Sequence, residues 1–166
     1  MQGLMQDWPL LCHKIFDHAA QQYPDTEIVS RSVEGPIVRS TYAQSHQRAL
    51  KVAQLLAREG FGVGDRIATL AWNTGRHLEA WYGIMGAGGV YHTLNPRLFP
   101  EQLAWIMNHA EDKAIFVDLT FVPLLEKLAP MVKTLKRVIV LTDGAHMPET
   151  TLPNAIAYEE WLTQAD

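Results

Sequence analysis

Residues 64–117, GDRIATLAWNTGRHLEAWYGIMGAGGVYHTLNPRLFPEQLAWIMNHAEDKAIFV, decide the fold of this chain. The stretch contains three short apolar runs, at 66–71, 90–94 and 113–117, with a helical pattern between successive runs. Runs of strand length that alternate with helix-period segments are typical of a parallel β-sheet with crossover helices. A further apolar run at 138–141 continues the alternation. The sequence therefore predicts a parallel sheet of about four strands.

Two features precede the predicted sheet. Residues 27–33 and 36–40 have the composition of short strands joined by a turn at 34–35, which predicts a β-hairpin. Thr41 and Gln44 have the spacing of a capping box, which predicts the start of a long helix. Right-handed crossovers place helices on both faces of a parallel sheet. The predicted fold class is therefore α/β: a mostly parallel sheet in a three-layer αβα, Rossmann-like arrangement, plus the small N-terminal hairpin.

Length and composition bound the class of protein. The 166 residues match the size of one domain, and 48% apolar with 19% charged residues indicates a globular chain. The net charge is −4, and the basic residues are scattered rather than gathered on one face. Nucleic-acid binding needs a concentrated basic surface, so we expect no nucleic-acid partner.

The N-terminal residues and the single cysteine bear on the cellular compartment of the protein. The N-terminal residues lack the basic segment of a secretory signal, and no apolar run approaches the ~20 residues of a membrane span. Cys12 has no second cysteine to pair with, which favours a reducing compartment. The expectation is a cytoplasmic protein without a transmembrane segment.

The glycine clusters do not have the spacing of a phosphate-binding loop. Counting from Gly62, the third position of a G-x-G-x-x-G pattern is Ile67, and counting from Gly86 it is Tyr91. The second cluster also precedes a predicted strand, whereas a phosphate loop follows a strand and opens a helix. We interpret residues 86–89 as a helix end that allows close helix–sheet packing.

Two residues are candidates for lining a pocket. Trp72 and His92 each lie at the carboxyl end of a predicted strand, where open α/β sheets form their ligand crevices. The alternative is that both are structural, with Asn73 or Thr74, next to Trp72, as the cap of the following helix. Seven histidines occur without an HExxH motif or a cysteine pair, so the sequence predicts no metal site.

No catalytic constellation is visible along the chain. There is no GxSxG elbow and no nucleophile beside a base. The carboxylate pairs at 111–112 and 159–160 are interpreted as surface groups on turns or helices. Trp81, Tyr82 and Trp105 are interpreted as core residues. We therefore expect no catalytic residue within this span.

Three short motifs give the chain a family resemblance. They are STYAQ at 40–44, GDRIA at 64–68 followed by Asn73, and GAGGV at 86–90 followed by LNPRL at 94–98. In combination they resemble the N-terminal part of the AMP-forming acyl-CoA synthetases, and the similarity extends across essentially the whole chain. Within that family, bacterial medium- to long-chain fatty-acid–CoA ligases are the most similar.

The resemblance implies that residues 1–166 are the N-terminal part of the large domain, a subdomain of a larger enzyme. It implies a whole enzyme that uses ATP, Mg²⁺ and CoA to activate a fatty acid as acyl-AMP and to transfer the acyl group to CoA. The family's TSGTTGxPKG loop and YGxTE segment do not occur here. Phe99 also departs from the family pattern, which often has a capping Thr. The span alone is therefore expected to be inactive.

Two alternatives remain open at the level of sequence. The chain could be a free-standing α/β module that binds a nucleotide, CoA or another protein. The span could also form a homodimer or self-associate, because apolar surface that the rest of an enzyme would cover is then exposed.

Overall fold

A computed structural model describes residues 7–166 of the chain. Within these residues the chain forms the following strands and helices in order: α1 His13–Gln22, β1 Glu27–Arg31, β2 Ile37–Thr41, α2 Tyr42–Arg58, β3 Arg66–Leu70, α3 Gly75–Gly86, β4 Val90–Thr93, α4 Pro100–Ala110, β5 Ala114–Val117, α5 Val122–Leu128, β6 Arg137–Val140, β7 Ala155–Ala157 and α6 Tyr158–Leu162. Short 3-10 turns at Leu119–Phe121 and Ala129–Met131 flank α5.

The strands form two sheets. Strands β1 and β2 pair antiparallel, and a five-stranded sheet has the order β4-β3-β5-β6-β7 with parallel pairing throughout. The predicted α/β class, parallel sheet and N-terminal hairpin are therefore confirmed. The sequence predicted about four strands in the parallel sheet, and the additional one is β7, which pairs with the outer side of β6.

The central strands are buried on both faces. All four residues of β5 are buried, and so are Val138, Ile139 and Val140 of β6. A strand that is covered on both faces consists of consecutive apolar residues, instead of alternating apolar and polar ones. For this reason β5 and β6 could be recognised in the sequence. Strand β4 lies at the edge of the sheet and is more exposed.

Two apolar clusters cover the two faces of the sheet and confirm the three-layer arrangement. One contains residues from α4 and α5, including Leu103, Met107 and Leu125. The other contains residues from α2, α3 and α6, including Leu56 and Trp161.

The beginnings of two helices are fixed by side-chain caps. Thr41 Oγ1 accepts a hydrogen bond from the Gln44 backbone N–H at 3.2 Å, and Gln44 Oε1 accepts one from the Thr41 N–H at 3.0 Å. The predicted capping box is thus confirmed. The sequence predicted that Asn73 or Thr74 would cap helix α3, and the cap is Thr74, whose Oγ1 accepts from the His77 N–H.

The aromatic residues differ from the expectation. Trp105 is 65% exposed and stacks on His109, while Trp81 is 40% exposed. Interpreting them as core residues was wrong, because each lies on the outward side of its helix. Among residues 7–166, no helix has both the length and the apolar character that a membrane crossing requires.

Candidate ligand crevice at the carboxyl edge of the sheet

The strand order creates a crevice at the carboxyl edge of the parallel sheet. From β3 the chain moves to β4 on one side and then crosses to β5, β6 and β7 on the other. In open parallel sheets, ligands bind outside the carboxyl ends of the strands at such a switch point. Here that edge carries Trp72 after β3, Asp118 after β5 and Leu141 after β6.

A cavity of about 540 Å³ opens at this edge. Its walls come from the hairpin, the first half of α2, the start of α3 and the ends of β5 and β6. Among its lining residues are Ser30, Ser32, Val38, Gln44, Arg48, Gly75, Arg76, Glu79, Asp118, Leu141 and Glu159. This volume is within the range of small-molecule sites in proteins.

Arg48 of α2 joins two other helices. Its Nε donates to Glu79 Oε2 of α3 at 2.9 Å, and its Nη2 donates to both carboxylate oxygens of Glu159 of α6, at 2.9 and 3.0 Å. Tyr158 O–H donates to the same Glu79 oxygen at 2.9 Å. One guanidinium group therefore ties together the helices that form one side of the cavity.

Arg76, at the start of α3, extends this network to the hairpin. Its Nε donates to Glu159 Oε1 at 2.8 Å, and its Nη1 donates to Glu34 Oε1 at 2.7 Å and to the Leu141 carbonyl at 3.1 Å. Thr142 O–H also donates to Glu34 Oε1 at 2.7 Å. The hairpin turn is thereby fastened to the carboxyl ends of the strands.

In this network, burial and the neighbouring opposite charges shift the pKa of each charged side chain in opposite directions. Burial raises the pKa of Glu79, although Arg48 favours its ionised form. Burial alone would lower the pKa of Arg48 and of Arg76, but the facing carboxylates outweigh it and raise both. The two guanidinium groups therefore stay charged, and each already donates to two protein carboxylates.

Asp118 is a buried carboxyl group at the switch point. Its Oδ2 accepts a hydrogen bond from the Trp72 backbone N–H, while the buried Oδ1 has no partner among residues 7–166. Burial raises the pKa of Asp118 to about 6, and the nearby Glu34 carboxylate acts in the same direction. The group can therefore exchange a proton near neutral pH, which is a property of many functional sites.

His92 binds a buried carboxylate beneath helix α4. Its Nδ1 donates to the two oxygens of Asp112 at 2.8 and 2.9 Å, and Asp112 is fully buried. This hydrogen bond raises the pKa of His92. Interpreting Asp112 as a surface group was wrong, because the residue turns inward to pair with His92. His92 is not among the residues that line the 540 Å³ cavity, and its role in lining a pocket stays a prediction.

The Trp72 side chain lies beside the crevice rather than in its wall. Its indole Nε1 donates to Thr120 Oγ1 at 3.3 Å, and its ring packs on Phe121 with centroids 5.2 Å apart. Half of the residue is exposed, so its ring is available to a ligand that extends past the crevice. Its part in ligand binding also stays a prediction.

A second cavity, of about 440 Å³, lies between β1 and α3 and is lined by His77, Trp81 and Tyr91 among others. His77 Nδ1 lies 3.0 Å from the Trp72 carbonyl, which can only accept, so Nδ1 carries the proton. Burial lowers the pKa of His77. The neutral ring therefore accepts at Nε2 from Tyr91 O–H, at 2.6 Å. These groups satisfy one another, which indicates a structural role.

A carboxylate and histidine group that the sequence reasoning missed lies next to the first cavity. One ligand atom each from Glu34, Asp143 and His146 lie within 4.8 Å of one another. Asp143 and His146 are three positions apart, but Glu34 is more than a hundred positions away from both, so the sequence does not signal its proximity to them.

Comparison with known proteins gives the family. The sequence profile of the AMP-binding enzymes matches residues 16–165, nearly the whole chain. The chain belongs to the AMP-binding enzyme family. A 3-methylmercaptopropionyl-CoA ligase of Ruegeria pomeroyi is 40% identical over all of this chain and 31% of its own length. A medium-chain-fatty-acid–CoA ligase of Ectopseudomonas oleovorans is 37% identical over all of this chain and 30% of its own.

A Thermus thermophilus long-chain-fatty-acid–CoA ligase is 42% identical over 95% of this chain and 28% of its own length. Among solved structures, an anthranilate CoA ligase in complex with anthranoyl-AMP has a TM-score of 0.81 over 97% of this chain and 30% of its own, at 18% identity. That likeness shows a shared fold. This AMP-binding family member therefore spans about 31% of the length of the first of these curated relatives.

The charges around Arg48 and Arg76 disfavour a nucleotide phosphate at these two residues. Arg48 and Arg76 are already paired with carboxylates that would repel an anion. The glycine clusters at 60–64 and 86–89 precede β3 and β4, so they lie at the amino edge of the sheet, opposite the crevice.

Proposed function

We propose that residues 1–166 are the N-terminal part of the large domain of an AMP-forming fatty-acid–CoA ligase. The observation that carries the proposal is the family match over residues 16–165, together with relatives that are CoA ligases about three times as long. The whole enzyme would use ATP and Mg²⁺ to convert a medium- or long-chain fatty acid to acyl-AMP, and would then transfer the acyl group to CoA.

The contribution of this part is structural in our proposal. The network of Arg48, Arg76 and Glu159 holds the hairpin and three helices around the cavity, and the parallel sheet presents its carboxyl edge to that space. Since both crevice arginines are paired with carboxylates and the span covers about 31% of a related ligase, we expect the span alone to lack ligase activity. The exposed thiol of Cys12 is consistent with a reducing compartment, and we propose the cytoplasm.

A chimera tests the proposed function. Residues 1–166 would replace the matching N-terminal segment of the Ectopseudomonas ligase, to which they align over their whole length. We expect the chimera to form acyl-CoA from medium-chain fatty acids with ATP and CoA. The controls are the relative without its N-terminal segment and the chimera with an unrelated α/β domain at that position. Formation of no acyl-CoA by a folded chimera would contradict the proposal.

The isolated span tests the rest of the proposal. Purified residues 1–166 should show no fatty-acid-dependent exchange of pyrophosphate into ATP. Calorimetry with ATP and with CoA distinguishes an incomplete part of a ligase from a free-standing binding module. Saturable micromolar binding of either ligand by the 166-residue chain would favour the module.

A further inference from the structure

Three side chains beside the crevice have the donor set of a metal site. Glu34 lies in the turn between β1 and β2, and Asp143 and His146 lie in the loop after β6. A ligand atom from each lies within 4.8 Å of the others. We propose that these three side chains bind a Zn²⁺ ion, which bridges the hairpin turn to the carboxyl end of β6. This proposal does not depend on the ligase activity.

Glu34 supplies the observation that points to a ligand. Its side chain is only 5% exposed, and its Oε1 accepts from Arg76 and Thr142, each at 2.7 Å. Its Oε2 is buried and has no hydrogen-bond partner among residues 7–166. Burial raises the pKa of Glu34, but the hydrogen bonds from Thr142, from its own backbone N–H and from Arg76 outweigh it and hold the pKa below its usual value. A buried carboxylate oxygen that no donor of another residue reaches indicates a missing ion or water.

Asp143 and His146 complete the donor set from the solvent side. Asp143 Oδ1 accepts from the His146 backbone N–H at 2.9 Å and lies 2.7 Å from the ring Nδ1. The two side chains are 40% and 53% exposed, so a cation reaches them without opening the core. The aspartate therefore already holds the imidazole next to the buried Glu34.

The charge around the cluster favours a cation. The carboxylates joined to this network outnumber its guanidinium groups; they are Glu34, Glu79, Glu159 and Asp143, against Arg48 and Arg76. The surplus lies at Asp143, because Glu34, Glu79 and Glu159 each accept a hydrogen bond from one of the two arginines, whereas Asp143 is bonded only to His146 among the described residues. A bound divalent ion would offset this local negative charge.

The donor chemistry selects among divalent ions. Zn²⁺ takes imidazole nitrogen and carboxylate oxygen in tetrahedral sites, whereas Mg²⁺ and Ca²⁺ prefer oxygen alone. Three protein ligands leave a fourth position for water. The ion would hold the turn at Glu34 against the loop after β6, and so would fix one wall of the 540 Å³ cavity.

Metal titration of the 166-residue protein tests the site. Calorimetry with Zn²⁺ should show one saturable equivalent, and Co²⁺ should give the visible absorption of a four-coordinate site. The test variants are H146A, D143N and E34Q. Outer-shell partners of metal ligands are worth about 10- to 100-fold in affinity, so losing a ligand should weaken binding at least about tenfold. Should E34Q fail to fold, the two exposed positions still test the site.

Matched controls separate this site from adventitious binding to the other histidines. H109A removes a histidine that stacks on Trp105 outside the cluster, and E126Q removes a half-buried carboxylate that accepts from Thr150. Both should bind Zn²⁺ like the unmodified protein. The proposal is overturned by the absence of saturable binding, by an affinity that H146A and D143N leave unchanged, or by an equal loss in H109A.

Discussion

The Asp118 carboxylate accepts a hydrogen bond from the backbone N–H of Trp72, and so joins the carboxyl ends of β3 and β5. The bond lies at the point where the strand order reverses. The bond satisfies the N–H of Trp72, which follows the end of β3 and lies outside its strand pairing. It also places the Asp118 carboxyl group in a buried position, where its other oxygen has no partner among residues 7–166. The crevice therefore contains a titrating group held by the main chain.

Asp118 should make the stability of the protein fall as pH rises from about 4 to about 7. Its pKa in the folded protein, about 6, exceeds the ordinary value of 3.8, so the folded state binds this proton more tightly than the unfolded state. Stability then decreases through this window, by roughly 3 kcal/mol once the group is ionised. In D118N this dependence should be absent, so the variant should gain stability relative to the unmodified protein between pH 4.5 and 7.5 in urea unfolding.

The groups that face Asp118 are common to both proteins in this comparison. Glu34 raises its pKa and Arg76 lowers it, and D118N leaves both in place. E126Q serves as a control, because the Thr151 N–H lowers the pKa of Glu126, so that the contribution of Glu126 to stability increases as pH rises. An identical pH dependence of unfolding in D118N and the unmodified protein would refute the assignment.

Removal of Arg48 should destabilise the fold strongly. Its partner Glu79 has a side chain only 5% exposed, and R48M would leave that carboxylate buried without its cation. Breaking a buried ion pair on one side costs about 3–5 kcal/mol. Urea unfolding of R48M measures this loss.

The exposed pair of Arg39 and Glu27 provides the matched control for Arg48. Both of its side chains are more than half exposed, so R39M should cost less than about 1 kcal/mol. The double variant R48M/E79M should be more stable than R48M, because no buried charge remains. If R48M and R39M cost the same, the network does not hold the helices together.

The sheet could be predicted from the sequence because local residues encode it. Strands β5 and β6 are continuous apolar runs, and the capping box at Thr41 and Gln44 marks the start of α2 within four residues. Strand β7 was missed because its three residues, Ala155–Ala157, are too short to show a period. Strand β7 forms by pairing with β6, and the sequence does not show that these two segments are neighbours.

The crevice network could not be predicted from the sequence, because its partners are distant along the chain. Arg48 and Glu159 are 111 positions apart, and Arg76 and Glu34 are 42 apart. Each charge taken alone resembles a solvated helix residue. The pairing of His92 with Asp112 shows the same limit, since the aspartate follows the end of α4 and turns inward only in the folded chain.

Gly83 should not tolerate a side chain. It lies where α3 crosses α2, and a Cβ there would come within 2.5 Å of Val52 and 2.8 Å of the Ala49 carbonyl oxygen. Overpacking of this kind costs about 1–3 kcal/mol, more than the ~1 kcal/mol that alanine gains in helix propensity. G83A should therefore unfold at a lower temperature. In G86A, whose nearest neighbour would be 3.8 Å away, the midpoint should stay the same or rise. Equal midpoints in the two variants would contradict the proposed close packing.

The isolated 166-residue chain should self-associate through the surface of α4. Phe99 and Trp105 are 74% and 65% exposed, and a shallow apolar cavity of about 420 Å³ includes Leu98 and Ile106 beside them. Exposed apolar patches favour association, because contact removes them from water. Light scattering over a wide range of concentration should show the average mass rising, and F99S/W105Q should reduce the rise. V63T alters a side chain that is 92% exposed in a separate turn and should leave the association unchanged. A constant monomer mass for the unmodified chain, or an equal effect of V63T, would count against this surface.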